Sequence, residues 1–178
     1  RLDGALAHTA VLGVGTNIDF LRFVLADAEV MAGRLDTALL ESLRFEPVEI
    51  GDEWLVAAAA YRWVRRWPDG PSSPWDVPSG WRLGSPAPTG IRLSCGPRTA
   101  HVYITGTPRQ ADARVEDGQS CSLTACLAGG VLAVVVGGVR REYLVAESGS
   151  QIWLAGDGAT VLIEERREAP VRAGDEHS

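Results

Sequence analysis

The chain has 178 residues, of which 46% are hydrophobic and 22% charged, with a net charge of −6 and a pI near 5.1. That size suits one ordinary domain with small appendages. The acidic balance, with no basic patch interleaved with aromatics, argues against a nucleic-acid partner. All 17 basic residues are Arg, which excludes chemistry that needs a Lys amine on this polypeptide: covalent biotin, lipoate or pyridoxal phosphate, or a Walker A loop. A GC-rich coding bias explains the missing Lys, and the exclusion holds whatever its origin.

The start, RLDGALAHTAV, has no basic region followed by an apolar stretch and does not read as a signal peptide. From Gly13 to Leu40 the sequence reads as a strand end and two helices. Thr16 and Asp19 suggest a capping-box-like start, Phe20, Phe23 or Val24, and Asp27 or Ala28 follow at helical spacing, and Gly33 is a natural stop. Asp36 or Thr37 is then placed to cap a second short helix.

Residues 51–67, GDEWLVAAAAYRWVRRW, predict a helix. Asp52 and Glu53 complement its positive end, and Arg62, Arg65 and Arg66 its negative end. Trp54 to Tyr61 has no polar face, so the helix must be enclosed on every side; eight residues cannot span a bilayer, which leaves protein as the enclosure. Pro68 ends the helix. The following stretch to Gly80, PDGPSSPWDVPSG, predicts a stiff irregular loop, too Pro-rich to pair as a strand and too apolar for a mere solvated connector. Its central Trp75 is either an interface anchor or folds back on the chain's own core.

From Trp81 to Arg166 the periodicity switches to two. Ile91, Leu93 and Cys95 alternate with polar residues, as do Ala100, Val102 and Ile104, and Cys121, Leu123, Ala125 and Leu127. Turn signals recur, and the Asp117-Gly118, Gly137-Gly138 and Asp157-Gly158 pairs suit tight hairpins. The expected fold is therefore α+β and mostly β: a barrel of roughly eight antiparallel strands around a central helix, preceded by a short helical segment. The Ala57–Ala60 run supports enclosure, since small side chains let a sheet close on a helix from all directions. The apolar run VLAVVVGGV is too short for a membrane helix. The three cysteines predict small, reduced core residues of a cytoplasmic protein, with Cys121 and Cys126 on opposite faces of one strand. The charged tail, 167–178, lacks periodicity and reads as disordered.

Other chemistry finds little support. Gly13-Val14-Gly15 begins a GxGxxG, but Ile18 stands where the third glycine belongs. His8, His101 and His177 show no ligand spacing. His101 could pair with a Ser such as Ser94, yet no G-x-S-x-G elbow exists, and it reads as a solvated strand residue. Glu164 and Glu165 with Arg166 and Arg167 read as a solvated strand end.

Two stretches carry a family resemblance. GVGTNIDFLRFVLADAEVMAGRLDT, with its TN-I-x-FL helix and AG-x-x-x-T step, closely resembles the last part of the biotin carboxylase domain in α subunits of biotin-dependent acyl-CoA carboxylases, and its wording leans toward methylcrotonyl-CoA carboxylase. The Trp-rich helix, the Pro-rich loop and PSGWRLGS at 78–85 resemble the BT domain that follows it in those subunits and joins biotin carboxylase to carboxyltransferase. The resemblance implies three parts: residues 1–46 as the end of a biotin carboxylase domain, 47–166 as a BT domain (helix 51–67, hook loop 68–80, strands 81–166), and 167–178 as a linker toward a biotinyl domain. It implies a non-catalytic subunit-coupling role, with a carboxyltransferase β subunit as partner in a large α/β hetero-oligomer and the hook as the docking element. Trp67, Pro71, Pro74, Trp75, Val77, Pro78 and Trp81 are its candidate contact residues. Biotin, ATP and magnesium would serve the parent enzyme, with no cofactor, metal or catalytic residue in this piece. A lipocalin-type ligand-binding barrel is the alternative, and it requires a hollow interior. Because the chain contains no Lys, incubation with a biotin protein ligase, biotin and ATP is expected to leave its intact mass unchanged.

Overall fold

A computed structural model describes residues 1–34, 39–45, 50–68, 70, 73, 76–83, 85–156 and 158–166. Among the described residues, five helices and eight strands follow in order: α1 (Leu2–Ala7), α2 (Ile18–Leu25), α3 (Ala28–Met31), α4 (Leu39–Ser42), α5 (Asp52–Val64), β1 (Thr89–Cys95), β2 (Arg98–Thr107), β3 (Gln110–Val115), β4 (Cys121–Ala128), β5 (Val131–Val136), β6 (Val139–Ser148), β7 (Gln151–Gly156) and β8 (Ala159–Glu165). The strands form a closed barrel in sequence order, every neighbour antiparallel. Leu93 opposite Glu165 and Ser94 opposite Glu164 close the ring.

α5 fills the barrel. Every residue from Trp54 to Tyr61 is buried, with Ala57, Ala58, Ala59 and Ala60 fully so. The helix packs against β1 to β5, β7 and β8, and the ring of Trp54 lies 4.9 Å from that of Tyr143 on β6. The wall answers with alternate inward residues, among them Ile91 and Leu93, Val102 and Ile104, Leu132 and Val134, and Ile152 and Leu154, all nearly or wholly buried. Ala100, Ala111, Ala113 and Ala125 face the same core. Small residues on both surfaces are what let a sheet approach a helix closely enough to leave no void. Regular helix stops at Val64 rather than at the expected Trp67. Arg66 and Trp67 close tighter turns onto the carbonyls of Trp63 and Val64, at 3.0 and 2.9 Å, because Pro68 has no N–H and pushes the residue before it out of the helical region.

Hairpin chemistry explains the register. Gly129-Gly130 and Gly137-Gly138 form two-residue turns with all four φ angles positive, which glycine reaches without strain. Gly156 pairs with Ala159 across the Asp157-Gly158 position, with Asp157 itself outside the described residues. Asp117-Gly118 differs from expectation. The chain turns at Glu116-Asp117, with Glu116 at a φ of 48°, and a longer loop runs on to Cys121, because the Glu116 carboxylate accepts the His101 N–H at 2.7 Å while the Glu116 N–H bonds the His101 carbonyl. The first strand also begins later than Trp81, at Thr89. Pro86 and Pro88 cannot donate to a ladder, so pairing starts only beyond them.

The amino-terminal region departs from the capping prediction. α2 starts at Ile18 with Asn17 before it and no side-chain cap, so Thr16 and Asp19 form no capping box. The helical path then breaks at Asp27, whose carboxylate accepts from the N–H groups of Glu29 and Val30 at 2.8 and 3.3 Å and starts α3. Gly33, at φ +72°, ends α3 as expected. Asp36 and Thr37 lie outside the described residues. The rings of Phe20 and Phe23 meet that of Phe45 at 5.5 and 5.4 Å, and Arg22 ties the segment to the barrel through the Gly158 carbonyl at 2.8 Å.

The cysteines are free but not all core. Cys126 is exposed, whereas Cys95 and Cys121 are half-buried against the core and burial pushes both thiols upward in pKa. Their positions confirm that Cys121 and Cys126 take opposite faces of β4. An Ala58→Asp change places a carboxylate on the enclosed helix with neither water nor a cation in reach. It is expected to cost several kcal/mol, on the order of the penalty for an uncompensated buried charge, read as a large drop in melting temperature; an equal melting temperature would mean that the helix can reach solvent.

Candidate docking surface

α5 runs from the barrel end that carries the Gly96-Pro97 turn to the end that carries the Gly149-Ser150 turn. At its start, Arg98 donates to the Ile50 carbonyl at 2.9 Å and pairs with Asp52. At its finish, three guanidinium groups meet two carboxylates. Arg62 reaches Glu147 at the end of β6 (Nη1, 2.6 Å), Glu165 at the end of β8 (Nε, 3.0 Å) and the Gly149 carbonyl in the turn between β6 and β7 (Nη2, 2.7 Å). Arg65 joins the same Glu147, and Arg66 lies 3.4 Å from the same Glu165. Glu165 is thus no solvated strand end: each carboxylate is shared by two guanidinium groups, and the Arg62 side chain is only 13% exposed. The three Arg answer the helix's negative end, and they also fasten it to two separate strand ends.

The chain leaves this clamp at Trp67, half-buried with its ring edge-on to Trp63 at 5.4 Å. Of the other candidate contact residues, Val77 and Pro78 are half-buried, Trp81 is 65% exposed, and Pro71, Pro74 and Trp75 lie outside the described residues. A second closure shapes the far side of the loop. The Ala87 N–H donates to the Gly80 carbonyl at 2.7 Å, so residues 80–87 form a closed turn. Pro86 and Pro88 on either side have no N–H, so Ala87 carries the one backbone donor of 86–88. Gly80 sits at φ +65°, and a Cβ there would collide with the Ala87 carbonyl oxygen. Trp81 and Leu83 stand on this turn, and Leu83 is 97% exposed. Sequence reasoning passed over Leu83, because WRLG was assigned to a first strand. The signal available was the Pro86 and Pro88 pair just beyond it, which rules out early pairing.

Elsewhere the described residues assemble no reaction centre. Ser94 is buried and accepts from Arg166 Nε at 2.8 Å, while the His101 ring stacks on Tyr103 and lies 3.8 Å from Glu116. His101 is thus half-buried rather than simply solvated. No group of His, Cys, Asp and Glu among the described residues could hold a metal ion, and no described helix is long and apolar enough to cross a membrane.

Residues 51–168, about two thirds of the chain, match the family model of the methylcrotonyl-CoA carboxylase, alpha-subunit, BT domain. The chain belongs to that family. The match opens at Gly51, immediately before α5, and ends just beyond β8, so the BT domain consists of the enclosed helix, the loop and the barrel together. It is a domain of a biotin-dependent carboxylase α subunit, a component of a multi-subunit enzyme. The loop therefore lies between the two parts of the BT domain that hold each other, with both ends anchored at the same barrel mouth.

A Gly80→Ala variant is expected to open the 80–87 turn while the barrel stays intact. Faster amide exchange at Ala87 with unchanged protection in β2 to β5 is the measurement; unchanged exchange at Ala87 would show that the turn tolerates a side chain.

Proposed function

We propose that this BT domain couples subunits: it docks the biotin carboxylase subunit onto the carboxyltransferase β subunit, and the loop from Trp67 to Pro88 is the docking element. The single observation that carries this reading is the display of Trp81 and Leu83 outward from a turn closed by the Gly80–Ala87 bond. Exposed aromatic and aliphatic side chains on a preformed turn lose little freedom on binding, which favours affinity. Trp75, Pro71 and Pro74 lie within the same loop by sequence and join the proposed surface.

A ligand-binding barrel is disfavoured by the enclosed helix, which occupies the space a ligand would need. Residues 1–46 are proposed as the end of the biotin carboxylase domain, on the resemblance of their wording, and 167–178 as a linker toward a biotinyl domain. The parent enzyme would carboxylate biotin with ATP and magnesium in the cytoplasm, and this piece would contribute recognition and geometry rather than catalysis.

The test is a calorimetric titration of the carboxyltransferase β subunit with wild-type chain and with a Trp81→Ala, Leu83→Ala double variant. Binding is expected to weaken by about 2 kcal/mol or more, roughly thirtyfold in Kd, at a nearly unchanged melting temperature. Unaltered binding would remove this turn from the interface.

A further inference from the structure

The docking loop leaves α5 within one turn of the Arg62 clamp, and that placement gives the clamp a second role. Arg62 engages three parts of the barrel mouth: Nη1 and Nη2 donate to Glu147 on β6 and to the Gly149 carbonyl between β6 and β7, and the cation pairs at 3.0 Å with Glu165 on β8, where the Nε–H makes no hydrogen bond. Two hydrogen bonds and one ion pair on a single planar cation tie the helix end to two strands and a turn. Arg65 and Arg66 repeat the engagement of Glu147 and Glu165 from the next turn, and the chain stays hydrogen-bonded through Trp67. Burial of Ala57 to Ala60 holds the helix inside the barrel by a force with little directional content, and the buried Trp54, Leu55 and Trp63 on either side of the run fix it by shape. The hydrogen bonds of Arg62 add to that packing at the point where the chain leaves the barrel.

Resting on the docking role argued above, we propose that Arg62 is a positioning residue for the interface: its three-way bridge sets the direction in which the loop leaves the barrel, and so sets the affinity for the partner subunit without touching it. A Lys at the same place would keep the charge and could not span all three partners. Glu165→Gln would remove one arm of the bridge together with the Arg66 pair, and leave the arms to Glu147 and Gly149 in place.

Both variants can be compared with wild type by titration against the carboxyltransferase β subunit, at a temperature where circular dichroism shows each chain folded, alongside amide exchange. For Arg62→Lys the Kd is expected to rise about tenfold, as loss of preorganisation costs on that order. Exchange is expected to quicken in residues 64–88 while β2 to β5 stay protected. Glu165→Gln should show a smaller effect in the same direction, and it carries the test if Arg62→Lys does not fold. An unchanged Kd in the folded variants overturns the proposal. A raised Kd with unchanged exchange in 64–88 overturns it too, since the arginine would then act by direct contact. The Trp81→Ala, Leu83→Ala chain separates the two readings: if it also binds like wild type, the docking role itself fails, whereas weakened binding there with normal binding of Arg62→Lys removes only the positioning role.

Discussion

An apolar helix with no polar face cannot exist in water unless something surrounds it, and the whole architecture follows from meeting that demand within one chain. Trp54 to Tyr61 would expose apolar surface in every direction, at roughly 2 kcal/mol for each large side chain left wet. A sheet packed on one side would leave the other bare, so the strands must pass all the way round. Closure also removes the open edges that an eight-stranded sheet would otherwise present. The two parts need each other: the barrel interior is filled by α5, and α5 is covered only by the barrel. The alanine run is the compromise that makes the arrangement possible, because bulkier residues on the helix would hold the strands too far apart to close.

A core of this kind has a functional consequence. An eight-stranded barrel with side chains alone in its interior can trade some of them for a ligand, but a barrel plugged by its own helix has no such freedom. Whatever the BT domain recognises must be met on its outside or on the segments that project from it. The same topology fixes the ends of one connection: α5 ends at one mouth of the barrel and β1 begins at that mouth. The scaffold and the position of the connection are therefore products of one constraint, and the connection has a stiff base because its two ends are held by the helix and by the first strand.

The sequence carried the enclosed helix plainly, since the absence of a polar face from Trp54 to Tyr61 admits one structural answer, and period-two alternation from Ile91 onward supplied the wall. Boundaries and local caps were less accessible. Asp27 looked like one position on a continuing helical face, yet its short carboxylate competes for backbone N–H groups and splits the helix, an outcome decided by local hydrogen bonding that apolar spacing does not register. Asp117-Gly118 looked like a hairpin, but Glu116 is drawn back to His101 across the sheet and moves the turn by one residue. At the candidate surface, Trp81 was found because tryptophan announces itself. Leu83 was missed because an exposed leucine and a strand leucine are spelled alike, and only the bond from Ala87 to Gly80 separates the two cases.

The arginines show most clearly why charge pattern alone stops short of function. Arg62, Arg65 and Arg66 sit where helix-dipole reasoning expects cations, and that reasoning would be satisfied by any cation at any of the three positions. The structure divides them. Arg62 is nearly buried, donates to Glu147 and to the Gly149 carbonyl and pairs with Glu165, while Arg65 and Arg66 are half-exposed and engage one carboxylate each. A generic dipole effect cannot distinguish strand ends, whereas this arrangement selects Glu147 and Glu165, which sequence places far from the helix and far from each other. What joins them is barrel closure, which brings the ends of β6 and β8 to one mouth around the helix that the barrel encloses. The site at the base of the loop is thus a consequence of topology, written in residues that have no relation to one another until the sheet is closed.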